Sequence, residues 1–135
     1  MSTNAYIIVK NRNPGAVSPA RMSYVHWDGG FWHVGALLLS NYNNEEAAQN
    51  IADAGSFSEL AETIAESKLH GEPASDEEMP APWGNGDPLE NCKADGERHN
   101  FEYVWDGSNW YVAGPNGLAI LLSEAVAAYN ANWNT

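Results

Sequence analysis

The stretch Tyr24-Val25-His26-Trp27-Asp28-Gly29-Gly30-Phe31-Trp32-His33-Val34-Gly35-Ala36-Leu37-Leu38-Leu39 decides how the chain is read, because the hydrophobic period changes inside it. Met22 to Trp27 is rich in β-branched and aromatic residues and reads as a strand. Asp28-Gly29-Gly30 breaks that run. Beyond it Phe31, Val34, Leu37, Leu38 and Tyr42 recur at three-and-four spacing, so a helix is expected to begin near Phe31 to Val34. The W-D-G-x-x-W-x-V core of this stretch returns at identical spacing in Trp105-Asp106-Gly107-Ser108-Asn109-Trp110-Tyr111-Val112. Either two like hairpins or an old duplication would produce it. Only the first copy runs at once into a helical stripe, so the first is expected to pass into a helix and the second to close a tight hairpin.

Outward from there, Ala5-Tyr6-Ile7-Ile8-Val9-Lys10 reads as a strand, with the turn formers Asn11 to Gly15 behind it. Glu45 to Ala54 reads as a short helix, its acids in the first turn where the helix dipole favours them and Gly55 at its end. A third helix is expected from Ser58, a candidate N-cap. It would put Glu59, Glu62 and Glu66 on one face and Leu60 and Ile64 on the other. From 69 to 98 the period fails, and the segment is acidic and carries Pro73, Pro80, Pro82 and Pro88. A loop that long is either functional or partly disordered, and Met79 and Trp83 favour one that folds back or docks a partner. Asn100 to Trp105 and Asn109 to Ala113 form the second hairpin, and Leu118 to Trp133 reads as a closing amphipathic helix. The expectation is one α+β domain over residues 1–135, ordered β-β-α-α-α-loop-β-β-α. Its largely antiparallel four-stranded sheet would carry helices on one face.

The chain has 135 residues and a net charge of −12. That length is enough for one core without disulfide or metal staples, and the lone Cys92 excludes a disulfide scaffold. The start does not resemble a signal peptide, and no apolar run approaches the roughly 20 residues of a membrane span, so a cytoplasmic protein is expected. Every acid lies at or beyond Asp28, and the cations after it are only Lys68, Lys93 and Arg98. Such a field repels nucleic acid and anionic membranes and attracts basic surfaces, although an acidic balance also simply keeps a small protein in solution.

Chemistry-bearing patterns are sparse. His26, His33, His70 and His99 have no metal-ligand spacing, and Cys92 has no partner cysteine, so neither metal nor cofactor is expected. Ser23, Ser40 and Cys92 sit in no nucleophile elbow, and no glycine loop has the frame of a phosphate cradle, so no catalytic residue is assigned. Two groups remain. The acids Glu59, Glu62, Glu66, Asp76, Glu77 and Glu78, with Met79 and Trp83 as apolar anchors, are candidates for binding a basic partner. Glu59, Glu62 and Glu66 on a helix would stand roughly 5–6 Å apart and imitate a run of phosphates. Alternatively His26, Trp27, Asp28, Trp32 and His33 would line a pocket near a helix N-terminus for a nucleotide-like small molecule. Trp27 and Trp32 read first of all as buried aromatics beside the first helix, with Asp28 as its cap.

Tyr24-Val25-His26-Trp27-Asp28-Gly29, followed by Val34-Gly35-Ala36-Leu37-Leu38-Leu39 and Tyr42, resembles the HWDG-x4-VG-x2-LL-x3-Y signature of small, mostly uncharacterised accessory proteins of tailed bacteriophages. The chain departs from it after Asp28-Gly29, where the family usually has Tyr-Pro and this chain has Gly30-Phe31. The resemblance implies an accessory product acting in a bacterial cytoplasm, and it implies no reaction. With the charge, it leads to a non-enzymatic inhibitor of a bacterial defence system. Such a protein would occupy a basic nucleic-acid groove, as in a CRISPR or restriction component, without touching nucleic acid or membrane itself. Self-association is compatible with this. The alternatives are sequestration of a nucleotide-derived immune signal and a small degradative enzyme using His26 or His33 as a base.

Overall fold

The computed structural model describes residues 4–12, 20–77, 101–113 and 119–133. Among them are the strands β1 (Ala5–Lys10), β2 (Ala20–Val25), β3 (Phe57–Glu59), β4 (Lys68–Leu69), β5 (Ser75–Glu77), β6 (Phe101–Trp105), β7 (Trp110–Ala113) and β8 (Ala119–Leu121). The helices are α1 (Ala36–Asn41), α2 (Glu45–Ala54) and α3 (Leu122–Trp133), and a single π-helical turn, Phe31–Gly35, leads into α1.

All the strands join one sheet in the order β4-β3-β2-β1-β6-β7-β8. The outer edge of β2 is divided: Val25 pairs with Phe57 of β3, and Ala20 to Met22 pair with Glu77 to Ser75 of β5. The pairs β1–β6 and β2–β3 are parallel and the rest antiparallel. The α+β class therefore holds, but the sheet is larger than four strands and mixed. β1, at the centre, buries residues on both faces, Ala5, Ile7 and Val9 on one and Ile8 on the other, as strands of parallel pairs commonly do.

Helices cover one face, as alternation along the strands demands. Leu38 of α1, Ala48 and Ile51 of α2 and Leu122 and Ala125 of α3 meet Ile7, Val9, Val25, Tyr103, Trp105, Trp110 and Val112 in the main core. The opposite face carries a smaller cluster, Ile8, Ala20 and Val104, with Met22 and Tyr111 against it. No helix among the described residues is long and apolar enough to cross a membrane.

Helix α2 forms at the expected residues because its ends are specified locally. The Asn44 side chain accepts the Ala47 N–H at 2.8 Å, Glu45 and Glu46 occupy the first turn, and Gly55 stops the helix at φ 98°. The expected helix from Ser58 does not form. Phe57 is fully buried, and its carbonyl and that of Ser58 accept the N–H groups of His26 and Trp27 at 3.0 and 2.9 Å, which holds the chain extended beside β2. Beyond Leu60 the chain turns back to β4, with local side-chain bonds in place of a helical ladder. Ser67 Oγ accepts the Ala61 N–H at 2.8 Å, and Thr63 Oγ1 accepts the Glu66 N–H at 3.2 Å. The closing helix also starts late, at Leu122, because Ala119 to Leu121 pair with β7.

Candidate functional site

The two W-D-G-x-x-W-x-V copies have opposite fates. In the second, Trp105 and Trp110 are cross-strand partners on β6 and β7, each 2% exposed, with ring centroids 5.3 Å apart. Asp106 closes the turn between them by accepting the Ser108 and Asn109 N–H groups on Oδ1, both at 2.8 Å. The indole N–H groups are satisfied inside, Trp105 donating to Glu45 Oε2 at 2.5 Å and Trp110 to the Tyr42 carbonyl at 3.0 Å. In the first copy a bend and the π turn separate the tryptophans, and both reach the surface, Trp27 48% and Trp32 50% exposed. That corrects the expectation that both are buried. It also removes Asp28 as a side-chain cap: Gly30 precedes the π turn with no side-chain hydrogen bond, and Asp28 contributes only its carbonyl, to Val34 N–H at 3.4 Å.

The π turn sets where the neighbouring side chains go. Gly35 N–H reaches the Gly30 carbonyl at 3.1 Å, which closes the wide turn. The Trp32 indole lies over Gly30 so closely that a Cβ there would fall 2.1 Å from the ring, so a larger residue at 30 would displace the indole. Trp32 thereby faces Phe101 and Tyr129, at centroid distances of 6.2 and 6.3 Å. His33 points elsewhere, its Nε2 bonded to the Leu60 carbonyl at 2.6 Å. A carbonyl only accepts, so His33 carries its proton on Nε2 and acts as a strut between the π turn and the segment after β3. Tyr42 Oη donates to the Ala61 carbonyl at 2.6 Å and braces the same segment.

His26 and Trp27 belong to a different group, on the side of β2 that carries Tyr24. Tyr24 Oη and His26 Nδ1 share a hydrogen bond at 2.9 Å, and burial, with the charge of Tyr6 adding to it, raises the Tyr24 pKa above its usual value. The His26 ring lies nearly parallel to that of His70 at 6.4 Å and meets the Trp27 ring edge-on at 4.6 Å. Thus His26, Trp27, Asp28, Trp32 and His33 do not converge. The first two gather with Tyr24 and His70, Trp32 turns toward α3, and His33 is a strut. His70 is the member that sequence reasoning missed, since only the β3–β4 pairing carries it there.

Asp28 is exposed and left-handed, φ 58°, and no hydrogen bond to its carboxylate occurs among the described residues. The segment 57–72 forms a ribbon tied to the chain just before it, where Phe57 and Ser58 accept the N–H groups of His26 and Trp27. Glu62, Glu66 and Glu72 are exposed, and Glu59 approaches Lys68 at 3.9 Å. Glu66 also accepts from Thr63 Oγ1 at 2.9 Å. Glu59, Glu62 and Glu66 therefore sit on a strand end and a braced loop, not on a helix face. Asp76 lies on β5 opposite Arg21 and Glu77 opposite Ala20; Glu78, Met79 and Trp83 lie outside the described residues. Glu59 pairs with Lys68 and Asp53 with Arg21, whereas Glu62, Glu66 and Glu72 of the ribbon have no ion pair among the described residues. No three His, Cys, Asp or Glu side chains among the described residues converge as a metal site would require.

Fold and site together define an α+β protein with an acidic ribbon and an exposed indole at its root. No family model matches the chain, and no curated protein or solved structure matches it either.

Proposed function

We propose that the chain is a non-enzymatic binding protein whose acidic ribbon, with Trp27 as aromatic anchor, docks on a basic protein surface. One observation carries the reading. Trp27 is half exposed while its backbone N–H is bonded to Ser58 of the ribbon at 2.9 Å, so the indole is carried by a backbone tied to the segment that bears Glu59, Glu62 and Glu66, of which only Glu59 has an ion-pair partner among the described residues, Lys68. The face of an exposed indole attracts lysine and arginine side chains, as the carboxylates do. A basic groove that otherwise holds DNA or RNA presents that chemistry. Together with the phage resemblance, this favours a bacterial defence component as partner, met in the host cytoplasm. Charge attraction would make association fast and salt-sensitive.

A second reading rests on the near-parallel His26 and His70 rings, which with Trp27 offer faces on which a nucleobase could stack, so a nucleotide-derived signal is the rival ligand. Affinity capture from bacterial extract separates the two. Captured proteins eluted by salt, and small molecules released by denaturing the chain, are identified by mass spectrometry. A basic nucleic-acid-binding protein retained by the wild type and lost from a Glu59→Gln/Glu62→Gln/Glu66→Gln variant supports the first reading. A released nucleotide, absent from Trp27→Ala, replaces it with the second.

A further inference from the structure

The ends of β1 and β6 lie side by side because the two strands are parallel, Val9 opposite Trp105. From there the chain leaves in opposite directions, β1 leading to β2 on one side and β6 to β7 on the other. Diverging connections at adjacent parallel strand ends leave a crevice beyond the sheet. In this chain it is an open cleft of about 270 Å³ lined by Lys10, Asn11, Arg12, Glu45, Asp106 and Gly107. It lies at the Lys10–Ala20 end of the β1–β2 ladder, whereas Trp27 follows the opposite, Ala5–Val25 end.

The walls of the cleft are fixed by a buried side chain. Gln49, 3% exposed, donates through Nε2 to the Lys10 carbonyl at 2.7 Å and to Glu45 Oε1 at 3.0 Å, and its own Oε1 accepts from Arg21 Nη2 at 2.8 Å. Both oxygens of Glu45 are thereby engaged, one by Gln49 and one by the Trp105 indole. Asp106 spends Oδ1 on the two turn N–H groups. The charged lining is balanced, two cations against two carboxylates, but the hydrogen-bonding capacity left over lies on the cations and on one Asp106 oxygen. Lys10 and Arg12 are exposed and bond no carboxylate among the described residues, and Asp106 Oδ2 accepts nothing there.

We propose that this cleft binds a small phosphomonoester, the phosphate held by Lys10 and Arg12 and a hydroxyl or amino donor of the ligand received by Asp106 Oδ2. A planar guanidinium and an ammonium lining the same cleft suit phosphate oxygens, which accept several charge-assisted hydrogen bonds at once. Of the net charge of −12, only Glu45 and Asp106 lie in the cleft itself, where Lys10 and Arg12 balance them, and at physiological salt the field of remote carboxylates decays over about 8 Å. The inference is independent of the basic-partner reading, since it uses the other end of the ladder and none of the ribbon.

The test is ligand-observed NMR titration of the full chain with glycerol 3-phosphate, inorganic phosphate and glycerol. The expected order is glycerol 3-phosphate tighter than phosphate, with no binding of glycerol. Lys10→Gln/Arg12→Gln, both exposed and outside the core, should weaken both phosphates at least about tenfold, the scale of one lost charged hydrogen bond. Asp106→Asn keeps the turn acceptor and should bring the two phosphates within about threefold of each other. Trp27→Ala should bind like the wild type. No saturation by about 10 mM of either phosphate overturns the proposal, since that is weaker than any useful site. So does unaltered binding in the Lys10/Arg12 variant, or loss of binding in Trp27→Ala. Equal affinity of the wild type for the two phosphates overturns the role of Asp106.

Discussion

Tyr103→Phe removes one oxygen atom from the junction between the sheet and the Asp28-Gly29-Gly30 bend. The Tyr103 hydroxyl is fully buried and donates to the Gly29 carbonyl at 2.6 Å. Deleting it leaves that carbonyl without its donor in a site where water does not replace it, at a cost of about 1–3 kcal/mol. For a chain of this length that amounts to a fall in Tm of roughly 3–10 °C. The same hydroxyl shapes the alkaline limb of stability. Burial raises its pKa well above 10.0, with the Gly35 backbone acting in the opposite direction. The unfolded chain releases this proton once pH passes about 10, while the folded chain retains it, so the unfolded state binds fewer protons and stability falls as pH rises. Below that pH the contribution is fully present. Urea denaturation followed by circular dichroism, at neutral pH and above pH 10, reads both effects. The variant should show a lower midpoint at unchanged slope and a shallower alkaline decline than the wild type. A midpoint equal to wild type at neutral pH, with an identical alkaline limb, would refute the claim that this hydroxyl holds the bend.

Gly55→Ala should destabilise by about 1–3 kcal/mol in the same assay. Residue 55 sits at φ 98°, and an added Cβ would fall 2.5 Å from the Glu72 carbonyl oxygen. Asp28→Gly should move stability and binding in opposite directions. Releasing a left-handed, exposed aspartate at φ 58° should leave stability equal or raise it by up to about 1 kcal/mol, while affinity for a basic peptide falls. Lower stability in that variant would mean that the carboxylate supports the bend.

Local signals were legible and long-range ones were not. β1 and α2 could be read from their residues because alternation, an Asn44 cap and Gly55 act within a few positions. The Trp105–Trp110 hairpin was equally local, its turn closed by Asp106. The stretch from Ser58 to Glu66 also had a helical period, but Phe57 pairing with Val25 and the struts from His33 and Tyr42 decide its path, and those contacts come from elements far away in sequence. The parallel pairing of β1 with β6 leaves no mark in either strand beyond apolar residues on both faces. The site was half legible for the same reason. His26, Trp27 and Asp28 stand out in sequence, yet the π turn closed by the Gly35 N–H on the Gly30 carbonyl sends Trp32 and His33 away from them. His70 joins the group only through β4.

The central claim, that an acidic ribbon and Trp27 together receive a basic partner, is tested most directly by the salt dependence of binding to a fluorescein-labelled arginine-rich peptide, read by fluorescence anisotropy. The account predicts that wild-type affinity falls steeply between about 50 and 200 mM salt. The Glu59→Gln/Glu62→Gln/Glu66→Gln variant should bind more weakly and with a flatter salt dependence, and Trp27→Ala more weakly with the wild-type slope, both folding normally. Wild-type affinity that does not change with salt, or a glutamine variant that binds as tightly as the wild type, would contradict it.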